Sequence, residues 1–131
     1  MDEHKTCPCC GYITGTEPGD FNICEICGWE NDGVQLIAPV RAGGANKMCL
    51  IDAQQNYALH GYSHLDKKPL TRQPEKEYRK DPTWWQLHVP ADAIEVRKEL
   101  NTVADSDEPY YWRNPEEHQI PEKYRGGKHE S

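Results

Sequence analysis

The sequence predicts an α+β fold: a small metal-stapled ribbon, made of a β-hairpin with two cysteine turns, packed with one or two helices and followed by an irregular C-terminal extension. Three observations predict it. Two Cys-x-x-Cys pairs stand close together, Cys7 with Cys10 and Cys24 with Cys27, each followed by a glycine, Gly11 or Gly28. Between them, the short β-prone runs Tyr12 to Thr14 and Phe21 to Ile23 flank Gly15 and Pro18-Gly19, which reads as a hairpin joining the two turns. Finally, only 36% of the 131 residues are apolar and mean hydropathy is −0.95, a thin aliphatic supply of the kind that small domains supplement with a metal. The four Trp and seven Tyr compensate in part, because each ring buries a large area while its polar tip reaches a partner.

The cysteine spacing is that of a tetrahedral four-thiolate site, in which each pair supplies two sulfurs from one tight turn. That makes Cys7, Cys10, Cys24 and Cys27 the candidate ligands in a zinc-ribbon layout. Gly11 and Gly28 fit it, since a turn that aims its amides at sulfur needs a residue tolerant of positive φ. Tyr12, Phe21 and Trp29 are expected to shield the metal. The knuckle pair also resembles that of rubredoxin, so iron and electron transfer stand as the alternative to one zinc ion, and thiolate chemistry alone does not separate the two metals. Cys9 sits between presumed ligands and is expected to face out of its knuckle, with a redox-labile thiol as the second reading.

Further along, Gly43-Gly44 lacks the Lys-Ser or Lys-Thr of a phosphate-binding loop and reads as a point of close backbone packing. A helix is expected from about Cys49 to His60, with Leu50, Ala53 and Tyr57 on one face and Gly61 as its stop. Cys49 would start that helix, where the helix N-terminus lowers a thiol pKa. Residues 63 to 82 are rich in charge and proline and read as a linker or surface arm. The pair Trp84-Trp85 is expected to dock on the ribbon or the first helix, with a partner-binding patch as the alternative. A second helix is expected from about Ala91 to Val103, striped by Val96, Leu100 and Val103. Asp105, Asp107 and Glu108 lack the spacing of a calcium loop and read as an acidic turn. His118 and His129 read as surface histidines.

Four ordered motifs carry a resemblance: Cys-Pro-Cys-Cys-Gly-Tyr at 7 to 12, Cys-x-x-Cys-Gly-Trp-Glu-Asn-Asp-Gly-Val-Gln at 24 to 35, Gly-Gly-Ala-Asn at 43 to 46 and Ala-Gln-Gln-Asn-Tyr at 53 to 57. Together they resemble the bacterial cysteine-rich CPCC family over residues 7 to about 62. The resemblance implies a rubredoxin-like zinc ribbon with a packed helix and ligation by Cys7, Cys10, Cys24 and Cys27. It implies no catalytic residues. Position 49, usually serine in that pattern, is cysteine here.

Charge bears on partners. Net charge is −7, and from Met1 to Gly33 the one cation, Lys5, faces seven acids. Thiolates around a divalent ion make that segment more negative still, so nucleic acid is an unlikely partner. No motif places an acid, base or nucleophile in a pocket, and four thiolates leave a metal no open position, so the chain is not expected to be an enzyme. The leading expectation is a binding protein acting on a protein partner, in specific form an acidic immunity protein against a basic toxin domain. The absence of an apolar leader or membrane-length run, with paired Cys-x-x-Cys spacing, suggests a cytoplasmic protein. Residues 1–62 are expected to form ribbon plus helix, and 63–131 an extension packed onto it in one domain. Sequence leaves oligomeric state open.

Overall fold

The computed structural model describes residues 5–15, 17–71, 78–101 and 107–125. Its helices are short: α1 Gly33–Ile37, α2 Leu50–His60 and α3 Ile94–Leu100, with 3₁₀ turns at Leu65–Leu70 and Glu122–Tyr124. No strand ladder occurs among the described residues, only isolated antiparallel bridges. The expected hairpin over residues 11 to 23 is therefore not borne out among the described residues. Instead each cysteine turn closes on itself, through Thr6 with Ile13 and Ile23 with Glu30. Residues 17 to 20 turn where the hairpin would run, held by the Asp20 carboxylate, which accepts from the amides of Glu17 and Asn22. Local side-chain capture of amides displaces ladder pairing there.

α2 matches the sequence pattern. Leu50, Ile51, Ala53 and Gln54 are buried, and Gly61 ends the helix in the left-handed conformation at φ 87°. α3 is shorter than expected at its start, capped by Ala93, and buries Leu100; Val103 lies outside the described residues. α1 was not anticipated. It forms because Asp32 caps it, accepting from the amides of Val34 and Gln35, and it buries Leu36 completely. The supposed arm after Ser63 contains the 3₁₀ turn Leu65–Leu70, lying over the second cysteine turn.

The core unites the cysteines with the aromatic C-terminal half. Cys10, Ile26, Cys27, Trp29, Leu36, Leu50 and Tyr111 are almost fully buried, alongside Trp85, Leu87, Tyr110 and Trp112. Trp85 and Trp112 meet Tyr111 edge-on at 5.1 and 4.9 Å, the arrangement that ring quadrupoles favour. Gln54 on α2 joins three segments. Its amide nitrogen donates to the carbonyl of Pro8 and to the Tyr111 hydroxyl, and its oxygen accepts from the Leu87 amide. The Trp pair docks as expected: Trp85 in the aromatic core, Trp84 on the first cysteine turn, where its indole N–H donates to Pro8 O at 3.0 Å.

Candidate metal centre

Both cysteine turns follow one plan. In the first, the amide of Gly11 donates to Cys7 O at 2.8 Å and that of Cys7 to Tyr12 O at 2.9 Å. In the second, Gly28 donates to Cys24 O at 2.8 Å and Cys24 to Trp29 O at 2.9 Å. Gly11 and Gly28 have φ of 82° and 87°, backbone open to glycine at little cost. The Ile26 and Trp29 amides point at Cys24 Sγ and Cys27 Sγ, at 3.4 and 3.5 Å.

The two turns bring the sulfurs of Cys7, Cys10, Cys24 and Cys27 within 4.8 Å of one another, all buried. Two sulfur pairs across the turns, Cys7 with Cys27 and Cys10 with Cys24, are 3.6 and 3.8 Å apart. A tetrahedron with metal–sulfur bonds of about 2.3 Å has edges of about 3.8 Å. The donor set therefore fits a tetrahedral ion that prefers thiolate, and four such residues could hold one. When bound, such an ion supplies charge that lets buried sulfurs ionise together. Without that charge, burial pushes the thiols of Cys7, Cys10 and Cys27 well up. Cys24 alone is held low, by the hydrogen bonds that Cys10 and its other thiol neighbours donate to it. Tyr57, at the edge of the cluster, is also raised, by burial and then by the cysteine charges.

The remaining residues sort clearly. Trp29 is fully buried beside the cluster and Tyr12 half-buried, but Phe21 is 57% exposed and shields nothing. Cys9 lies outside the four-sulfur cluster yet is buried rather than solvent-facing. Cys49 caps α2 without a side-chain hydrogen bond, and burial raises its thiol. Desolvation outweighs the helix terminus, so the expected lowering does not occur. His118 is buried, not superficial, with Nε2 2.6 Å from Glu108 O. His129 and Asp105 lie outside the described residues.

One group of residues went unrecognised in the sequence as a unit. Asn46 closes the open edge of Glu30 with its side chain, accepting from the Glu30 amide at 2.9 Å and donating to its carbonyl at 2.7 Å. Gln35 in turn fixes Asn46, accepting its amide and donating to the carbonyls of Arg41, Asn46 and Met48. Asp32 accepts from the Ala45 amide. A Cβ on Gly44 would stand 2.6 Å from Asp32 Oδ2, so Gly-Gly-Ala-Asn serves close packing, as expected. The signal for it was Asp32 as an N-cap before an apolar run.

A fold of short helices and turns around a buried four-cysteine cluster defines a small cysteine-knuckle protein with a possible metal site. The chain belongs to the cysteine-rich CPCC family, whose pattern matches residues 5–78. A comparison with curated proteins gave no match. No helix among the described residues is long and apolar enough to cross a membrane.

Proposed function

We propose that Cys7, Cys10, Cys24 and Cys27 hold one zinc ion as a structural staple in a rubredoxin-like pair of knuckles. The chain is then a non-enzymatic binding protein working by protein–protein contact, in its specific form a cytoplasmic acidic immunity protein that neutralises a basic toxin domain. Four thiolates complete a tetrahedral shell and leave no position for water or substrate. The observation that carries the binding reading is Phe21. It is 57% exposed and sits at φ 60°, where a bulky L-residue costs roughly 1 to 2 kcal/mol. Ile23 and Val34 nearby in the chain are 45% and 47% exposed, and Glu17, Asp20 and Glu25 on the same segment are exposed acids. Strained backbone concentrates at binding sites, and an apolar anchor among acids suits a basic protein surface.

The test is Phe21→Gly. Relief of the left-handed strain is offset by the added freedom of glycine in the unfolded chain, so stability should hold or rise by up to about 1 kcal/mol. Protection against a toxin encoded beside the gene should nevertheless be lost in co-expression. A variant that protects as well as the parent removes the anchor, and absence of any protection by the parent removes the immunity reading. Metal analysis decides the centre: colourless protein with one equivalent of zinc supports the staple. Red protein absorbing in the visible would instead make the chain a rubredoxin-like electron carrier.

A further inference from the structure

A cleft of about 760 Å³ opens beside the first cysteine turn, between the C-terminal part of α2, the 3₁₀ turn and Trp84. We propose that it binds a planar aromatic ring that carries an anionic group on a short arm, the chemistry of a mononucleotide. Its size falls in the range of small-molecule sites, roughly 300 to 1,000 Å³.

The walls and the charge both point that way. Tyr57, Tyr62 and Trp84 line it together with His60, Lys68 and Lys80, and no Asp or Glu among the described residues does. That is unusual in a chain with 22 acids against 15 Lys and Arg. Lys5, Lys47 and Lys67 each have a carboxylate within 4.0 Å, whereas Lys68 and Lys80 meet none among the described residues. Lys80 instead rests over the rings of Tyr12 and Trp84, 4.9 and 5.3 Å from their centroids. Two lysines without acidic partners among the described residues, at one aromatic-walled opening, leave positive charge for a ligand to neutralise.

The aromatic walls are fixed in place. Trp84 is pinned by its indole N–H on Pro8 O and stacks over Gly11, where a Cβ would come 2.5 Å from its ring. Tyr62, also on the wall, stacks on His60 at 5.4 Å and 17°. Rigid ring faces at a cationic mouth accept a base by stacking and leave its phosphate to the ammonium groups. Gln86, which also lines the cleft, offers an amide for the edge of the ring.

The competing role for these lysines is to balance the charge of the thiolate centre, and the experiment separates the two. The full-length, zinc-loaded protein is titrated calorimetrically with 5′-AMP, adenosine and inorganic phosphate, alongside K68Q/K80Q and Tyr62→Leu. The expected result is saturable one-site binding of 5′-AMP, with each half of the molecule weaker by about tenfold or more. K68Q/K80Q should weaken 5′-AMP by about tenfold with zinc content and circular dichroism unchanged, and Tyr62→Leu should weaken adenosine and 5′-AMP alike. The proposal is overturned by absence of 5′-AMP binding at millimolar concentration, by phosphate binding as tightly as 5′-AMP, or by K68Q/K80Q losing zinc while any nucleotide affinity persists.

Discussion

The two cysteine turns have nearly the same backbone and opposite surroundings. Each has the same pair of amide bonds, the same left-handed glycine and two of the four sulfurs. The first is embedded in the C-terminal half. Trp84 covers Gly11, Thr6 donates its amide to the Tyr110 hydroxyl and its own hydroxyl to Asp81 Oδ2, and Gln54 ties Pro8 to Tyr111. The second is wrapped by residues from the middle of the chain. Asn46 pairs with Glu30, and the 3₁₀ turn lays Lys67 and Thr71 over Gly28. The difference shows that a knuckle's local sequence sets its shape while distant residues set how firmly it is held. One turn depends on contacts across 46 to 104 residues; the other relies on partners 16 to 43 residues away.

The comparison breaks down most completely at the shared sulfurs. Cys7→Ser and Cys24→Ser come from different turns, yet either removes one corner of the same tetrahedron, and a metal site contributes folding energy as a unit. Both should abolish metal retention and the cooperative unfolding transition alike, read by metal analysis and thermal circular dichroism. A strong chelator should do the same to the parent. If Cys24→Ser unfolds the chain while Cys7→Ser only lowers the melting temperature, the aromatic half holds its turn without the metal.

Glycine substitution sharpens the comparison. A Cβ at Gly11 would lie 2.5 and 2.6 Å from the Trp84 ring, and that ring is pinned at its N–H. At Gly28 the clash is with Lys67 Cβ at 2.6 Å, on a surface turn whose Leu65 is 63% exposed and which can shift outward. Both alanines pay the left-handed penalty, roughly 1 to 2 kcal/mol, and the rigid ring adds overpacking of about 1 to 3 kcal/mol. Gly11→Ala should therefore destabilise by roughly 2 to 5 kcal/mol and Gly28→Ala by about half as much, measured by urea denaturation of the metal-loaded protein. Equal losses would mean the 3₁₀ turn is as unyielding as the Trp84 ring.

What the sequence made legible follows the same division. The four-sulfur set and α2 were readable because each rests on spacing within one segment: Cys-x-x-Cys for the turns, and Leu50, Ala53 and Gly61 for the helix. The hairpin was misread because β-prone Tyr12 to Thr14 and Phe21 to Ile23 look like mutual partners, whereas Ile13 bridges back to Thr6 and Ile23 forward to Glu30. Only the closed turns reveal that preference. The roles of Asn46, Gln54 and Asp81 could not be read, since a buried amide or carboxylate looks like a surface one until its partners arrive from elsewhere in the chain. Cys49 and His118 failed for the matching reason, because burial comes from residues distant in sequence and reverses what a helix start or a polar tail suggests.

The smallest effect isolates the long-range side of the comparison. The Tyr111 hydroxyl donates to Trp85 O at 2.5 Å and accepts from Gln54 Nε2 at 2.9 Å, and burial raises its pKa, so the hydroxyl stays protonated and able to donate. Tyr111→Phe keeps the ring and its edge-on contacts while leaving the Trp85 carbonyl without this donor. Gln54 keeps its bonds to Pro8 and Leu87, which limits the loss to about 1 to 2 kcal/mol. Gln54 is the link from Tyr111 to Pro8, so the loosening should travel to the first turn only. Hydrogen exchange should show faster exchange of the Cys7 and Gly11 amides while those of Cys24 and Gly28 hold, with zinc content unchanged. Faster exchange in both turns would show that the two knuckles open as one cooperative unit and that their different surroundings do not divide the stability between them.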